Sequence, residues 1–222
     1  MRRLAVFCRT FRPNLRTGGY PWPRRTMHNR SIGWAACSPP RSTAMAATPF
    51  RPALDLMSQY AEYHRDRRNI VTHFVGIPLI VFAIGILLAR ASIGGYTLAW
   101  IVWALATAWY LTRGNLVLGV ATSIVNAALI ALAHPFASVP LVPWLAWGIG
   151  FFVLGWVLQF IGHYYEGRKP AFVDDIIGLL VGPMFVVGEW LFALGWGHDL
   201  LAEIERRAGP THLRDLAAPA TR

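Results

Sequence analysis

The chain has no cysteine beyond Cys37, and it is poor in charge: Asp, Glu, Lys and Arg make up 14% of its 222 residues. Soluble domains carry about 25% charged residues. That deficit, with ten tryptophans, 55% hydrophobic residues and a mean hydropathy of +0.41, points to an integral membrane protein. Cys8 and Cys37 both lie in the N-terminal leader, so the body has neither a disulfide framework nor a thiolate metal site. Any metal there must be held by His, Asp or Glu. Acidic residues are missing from residues 1–54, which carry ten arginines, whereas the rest of the chain holds 11 Lys+Arg against 11 Asp+Glu. The net charge of +10 therefore belongs to the leader, and a neutral body argues against a nucleic-acid partner. A secretory signal is excluded too, because the leader's one apolar run, "LAVF", is far shorter than the roughly 7–15 residues of an h-region.

Residues 1–50 are rich in Arg, Pro and Ser without apolar periodicity, and we expect them to be disordered. They read either as an organellar transit peptide or as a stretch upstream of a true start at Met45 or Met57. Pro13, Pro21, Pro23, Pro39 and Pro40 interrupt the amphipathic helix that a transit peptide needs, which favours the second reading. Residues 51–200 form the membrane-embedded domain, and residues 201–222 a polar tail. Four apolar runs (74–89, 96–111, 116–133 and 144–162) approach the roughly 20 residues needed to cross a bilayer. A fifth, 176–196, contains Pro183 and Glu189, so it either spans with a kink or re-enters. Its Gly178 and Gly182 form a close-packing G-x-x-x-G face. The expected fold is an all-α polytopic bundle of four spans plus this fifth kinked or re-entrant segment.

The Lys/Arg bias orients the bundle. With the first span's N-terminal side in the cytosol, the cytosolic ends carry Arg65, Arg67, Arg68, Arg113, Arg168 and Lys169, and the opposite loops of the first four spans carry Arg90 alone. This topology gathers His64, His73 and His163 on one surface, with Glu166 beside them, and leaves His134 about 30 Å away across the hydrocarbon. His163 and Glu166 are spaced i, i+3 and share a face if the helix continues. On one ideal helix His64 and His73 would lie about 13.5 Å apart and on nearly opposite faces. Either the helix breaks near Arg67–Asn69, with Asp66 and Asn69 as turn formers, or only one of the two is a ligand. Imidazoles with one carboxylate suit Fe(II), Zn(II) or Mn(II), and two His with one carboxylate mark non-haem iron oxygenases. Gln159, His163 and Glu189 are polar groups at bilayer depth, where such groups are costly unless used. The plainer readings are that Arg65, Arg67 and Arg68 are topology signals, that Asp174 and Asp175 start a helix, and that His198 and His212 are solvated.

The pattern Y-x-x-x-H-x-x-x-x-N-x-x-x-H-x-x-G-x-P appears as Tyr60, His64, Asn69, His73, Gly76 and Pro78, and "QFIGHYYEGRKPA" supplies Gln159, Gly162, His163, Glu166, Pro170 and Ala171. Together, over residues 54–196, they resemble the small membrane 2-hydroxy fatty acid dioxygenases, whose founding fungal member acts in phytosphingosine breakdown at the endoplasmic reticulum. The resemblance implies Fe(II)-dependent α-oxidation of a 2-hydroxy fatty acid by O₂ to an acid one carbon shorter. It implies His64, His73, His163 and Glu166 as catalytic metal ligands, with Glu166 alternatively orienting a histidine. Arg65, Arg68, Asn69, Gln159, Arg168 and Lys169 are the candidate substrate contacts. The expected partners are membrane lipid and that substrate. The expected location is a bacterial inner membrane, or the endoplasmic reticulum in a eukaryote, with the site facing the cytoplasm. Two competing readings are a non-enzymatic transporter-like or scaffold bundle, disfavoured by the apolar midplane residues Ile84, Val102 and Ile124, and another metal-dependent lipid hydroxylase or desaturase. Against the latter, no H-x-x-H-H box occurs.

Overall fold

A computed structural model describes residues 50–170 and 177–217. The expected leader, and the expected helix start at Asp174 and Asp175, lie outside them. Seven helices make up the described part: α1 (Ala53–Ala61), α2 (Arg67–Leu88), α3 (Leu98–Leu111), α4 (Leu116–Ala133), α5 (Leu141–Glu166), α6 (Gly178–Ala193) and α7 (His198–Ala208). The all-α expectation misses one detail. A two-stranded antiparallel hairpin, β1 (Ser92–Ile93) and β2 (Tyr96–Thr97), joins α2 to α3. Its turn is Gly94-Gly95, both at positive φ, the conformation a two-residue hairpin loop requires.

Three helical stretches are long and apolar enough to cross a bilayer: Arg67–Leu88, Leu116–Ser138 and Leu141–Glu166. α3 and α6 are apolar but shorter. The outer surface is apolar where it would meet lipid, with Val71, Ile124, Leu132, Val142 and Val153 each more than half exposed. A soluble monomer rarely tolerates so large an apolar belt. Two hydroxyls inside the bundle are satisfied locally: Thr122 and Ser123 donate to the carbonyls of Leu118 and Gly119 at 2.8 Å.

α2 and α5 run antiparallel and form the closest pair. Glycines permit it: a Cβ on Gly155 would come within 2.9 Å of the Gly76 carbonyl, and one on Gly76 would strike the Gln159 amide. A Cβ on Gly162 would collide with Thr72 and Asn69 of α2. The start of α2 and the end of α5 thus share one lip of the bundle. α5 stops where Gly167 adopts φ 70°, the left-handed cap typical of a helix C-terminus.

α6 returns to that same lip. Gly182 near its start lies against Ile77 and the Tyr60 hydroxyl, and Gly188 against Met57 of α1. Tyr110 of α3 donates to the Leu180 carbonyl at 2.9 Å and ties α6 to the α3–α4 hairpin. α7 then packs on α1, so the polar tail begins on the lip where α5 ends. α6 thus lies against α1, α2 and α4. The main hydrophobic cluster sits beneath this lip, around Leu56, Met57, Tyr60, Tyr110, Phe185 and Ile204.

Candidate metal centre

The geometry of the lip begins with a chain reversal. α1 ends at Ala61 and α2 starts at Arg67, so the bend between His64 and His73 occupies residues 62–66. That is one turn earlier than the Arg67–Asn69 break read from the sequence, and Asn69 lies inside α2. Buried backbone N–H groups must find acceptors, and here each one does. Tyr63 N–H donates to Tyr60 O (3.1 Å) and His64 N–H to Ala61 O (3.0 Å). Arg65 N–H and Asp66 N–H donate to the two carboxylate oxygens of Glu166 (3.1 and 2.8 Å). Arg67 N–H donates to His212 O (3.0 Å), and Arg68 N–H to the Asp66 carboxylate that caps α2 (2.8 Å).

This turn brings His64 against His73 and His163. One ligating nitrogen from each lies within 4.8 Å of the others, and the side chains are 0%, 1% and 7% exposed. The ring centroids are 4.5 Å (His64–His73), 4.9 Å (His64–His163) and 5.1 Å (His73–His163) apart. Tautomers follow from the partners. His64 Nδ1 lies 2.7 Å from Tyr60 O and His73 Nδ1 lies 2.9 Å from Asn69 O, and a carbonyl can only accept, so both Nδ1 atoms carry hydrogen. Both Nε2 lone pairs then face each other at 3.0 Å. His163 Nδ1 is buried without a hydrogen-bond partner among the described residues. Bare lone pairs crowded in a dry site are unfavourable on their own, and a cation between them resolves the conflict. The donor set therefore fits a divalent metal held by neutral imidazoles. Burial pushes the His64 imidazole well below its ordinary range, and His73 and His163 push it further, so His64 stays neutral and able to ligate.

Glu166 occupies a different place from the ligand expected of it. Its oxygens are taken by the two backbone donors above and by Asn69 Nδ2 (3.0 Å), and it is not among the grouped ligating atoms. A carboxylate from the end of α5 thus clamps the turn that carries His64. The candidate substrate cations are engaged elsewhere as well. Arg65 is 4% exposed and donates to Ala61 O, His64 O and Gly209 O. Burial pushes its guanidinium pKa down, and the carboxylates of Glu189, Glu166 and Glu205 offset this, so Glu189 acts as a counter-charge. Arg68 pairs with Asp66 at 2.7 Å, and Arg168 donates to Glu62 O at 2.8 Å. Lys169 is exposed at the lip. Asn69 holds Tyr63 O and Glu166 through Nδ2, while its Oδ1 is buried and unpartnered among the described residues. Gln159 alone of the six lines a cavity beside the histidines, and its Nε2 is also buried and unpartnered among the described residues.

Two features escape the sequence reading. The Tyr60 ring stacks on His64 at 4.1 Å with 4° between planes, which its place at i−4 in the first motif could have indicated. The tail segment around His212 pairs with the turn: His212 N–H donates to Arg65 O (2.9 Å) and Arg214 N–H to Asp66 (2.8 Å). The His212 side chain is exposed as expected. Its backbone makes the contact, so no side-chain pattern announces it.

Comparison with known proteins agrees with the motifs. Residues 50–194 match the family model described as 2-hydroxy-palmitic acid dioxygenase Mpo1-like. The chain is 33% identical over 162 residues to the 2-hydroxy-palmitic acid dioxygenase MPO1 of Saccharomyces cerevisiae, covering 68% of this chain and 88% of that protein. No solved structure matches. The chain, with its paired histidine motifs on one lip of an apolar helix bundle, belongs to the Mpo1-like family.

Proposed function

We propose that this protein is an Fe(II)-dependent dioxygenase that shortens 2-hydroxy fatty acids by one carbon. The observation that carries the reading is the convergence of His64, His73 and His163, with the His64 and His73 Nε2 atoms facing each other, beside a largely apolar cavity whose polar end His73 and His163 line. Kinship with a 2-hydroxy-palmitic acid dioxygenase supports the substrate class and the use of O₂. Imidazole ligands suit Zn, Mn and Fe alike; Zn has no redox chemistry, so consumption of O₂ favours a redox-active metal, and the family resemblance implies Fe(II). Ferrous iron, when bound by His64, His73 and His163, would supply the redox-active centre at which O₂ reacts, while the electrons that reduce O₂ come from the 2-hydroxy acid. The overall change balances as 2-hydroxy acid plus O₂ giving the acid one carbon shorter, CO₂ and water.

The chain's own groups divide the remaining work. Gln159 Nε2 has a hydrogen bond to give, and it orients the carboxylate or 2-hydroxyl of the substrate beside the histidines. Tyr60 and Phe185 wall the His64 ring and exclude water. Glu166 and Asn69 position His64 and His73 through the turn and through Asn69 O. The Lys/Arg bias supports a site on the cytosolic face of a bacterial inner membrane, or of the endoplasmic reticulum in a eukaryote.

The test is purified protein in nanodiscs with 2-hydroxypalmitate, with and without Fe(II), followed by mass spectrometry. We expect a fifteen-carbon acid that depends on iron and O₂, and loss of both iron and product in His163→Ala. Full turnover by metal-free protein, or a product of unchanged chain length, would overturn the reading.

A further inference from the structure

Beside the histidines lies a cavity of about 290 Å³ between α2, α5 and α6. Its polar lining is confined to one end, where Tyr60, His73, Gln159 and His163 meet. Away from that end the walls are Ile77, Ile80, Val81, Ile84, Phe152 and Leu179. Such a polarity gradient fits an amphiphile with one head and one tail. Ligand sites usually run from about 300 to 1,000 Å³, so the volume suits a single chain and not a two-chain lipid.

The length of the cavity can be read from the two antiparallel helices independently. On α2 the lining runs from His73 to Ile84, and on α5 from His163 to Phe152. Each interval is eleven residues, or about 16 Å of helix rise. Half the hydrocarbon core of a bilayer is about 15 Å. The cavity therefore reaches from the lip to the midplane, the depth of one leaflet's acyl chains. It also meets the outside of the bundle: Ile84 is 38% and Leu179 47% exposed on the surface that would face lipid.

We propose that this cavity is a one-leaflet acyl slot, entered sideways from the bilayer, and that Ile84 and Phe152 at its far end set the length of hydrocarbon chain it accepts. The carboxylate end stops at Gln159, whose Nε2 is buried with no partner among the described residues, so the head is fixed and the tail is measured from it. A chain from the same leaflet slides in without leaving the hydrocarbon.

Two experiments on the full chain in nanodiscs test this. The first is photolabelling with a fatty acid carrying a mid-chain diazirine, mapped by peptide mass spectrometry. We expect crosslinks on the cavity stretch of α2 and α5, removed by excess 2-hydroxypalmitate. Crosslinks restricted to lipid-facing residues such as Ile124 and Val153, or not competed, would overturn the slot. The second compares kcat/KM for 2-hydroxy acids of sixteen and ten carbons, and it rests on the dioxygenase reading. Ile84→Trp should lower the long-to-short ratio about tenfold or more, the scale of pocket discrimination between alkyl chains. Phe152→Ala should move the optimum to longer chains, and Ile124→Trp, on the outer face of α4, should leave the ratio alone. An unchanged ratio in both cavity variants overturns the gauge. If the wild type shortens no 2-hydroxy acid, the dioxygenase reading fails, while the photolabelling still decides the slot.

Discussion

Replacing Glu166 by Gln separates its role as a clamp from a role as a ligand. The carboxylate accepts from Arg65 N–H, Asp66 N–H and Asn69 Nδ2 at 3.1, 2.8 and 3.0 Å. Gln keeps one acceptor oxygen. Its best placement serves Asp66 and Asn69 and turns the amide NH₂ toward Arg65 N–H, leaving a buried donor facing a donor. An unsatisfied buried donor costs about 1–3 kcal/mol, and two bonds losing their charge assistance cost about 1 kcal/mol each. The turn is then weakened by about 3–5 kcal/mol. Only part of this reaches His64, whose ring is also held by Tyr60 O and by stacking. About 3 kcal/mol felt at the ligand lowers iron affinity roughly a hundredfold, the upper range for loss of a group that supports a ligand. Iron titration measures the affinity, and Mössbauer spectra at saturating iron report the ligand sphere. We expect weaker binding with an unchanged spectrum once iron is bound. Unchanged affinity refutes the clamp, and an altered spectrum at saturation refutes it in favour of direct ligation.

Two other variants probe the same lip. Asp66 is 0% exposed; burial pushes its carboxyl up, but hydrogen bonds from Arg68 and the Arg214 N–H outweigh this and hold it at about 2, against an ordinary 3.8. A depressed carboxyl stabilises the fold above its unfolded value and loses that contribution as pH falls through its folded value. Asp66→Asn should therefore lose about 2 kcal/mol at neutral pH and flatten the stability decline between about pH 4 and 2, as read by chemical denaturation across pH. Gly162→Ala should drive α2 from α5, because the new methyl meets Thr72, Asn69 and, at 3.2 Å, His73 Nδ1. We expect a loss of about 1–3 kcal/mol or more in thermal stability together with lower iron content, measured on the same samples.

The sequence made the meeting of three histidines legible because two long-range signals sufficed. Apolar runs give the number of crossings between His73 and His163, and the Lys/Arg bias fixes which ends share a side. The bend between His64 and His73 was legible too, since an ideal helix cannot point both at one atom. Its position was not, because the turn is stopped by Glu166, a hundred residues away, rather than by a local breaker. Charge alone did not show that Arg65, Arg68 and Arg168 bond backbone carbonyls. A guanidinium has five donors, and at a chain reversal rich in free carbonyls it bonds backbone before it can bond a ligand. The hairpin at Gly94-Gly95 carried a readable turn signal that the apolar runs on either side obscured.

The three histidines are not held alike. His73 and His163 sit on α2 and α5, whose spacing is fixed by glycine contacts that no side-chain motion can relax. His64 sits on a five-residue turn whose outward hydrogen bonds include those to Glu166 and to the tail at His212 and Arg214. The placement of His73 and His163 thus depends on the α2–α5 pair, whereas that of His64 also depends on the tail that α7, packed on α1, brings back to the lip. A metal bound by all three reports completion of the fold from residue 64 to residue 214, and its binding free energy adds to the stability of the turn, the least self-sufficient part of the structure. The segment after the bundle thereby governs the site alongside the spans, although it meets the turn through its backbone at Gly209, His212 and Arg214.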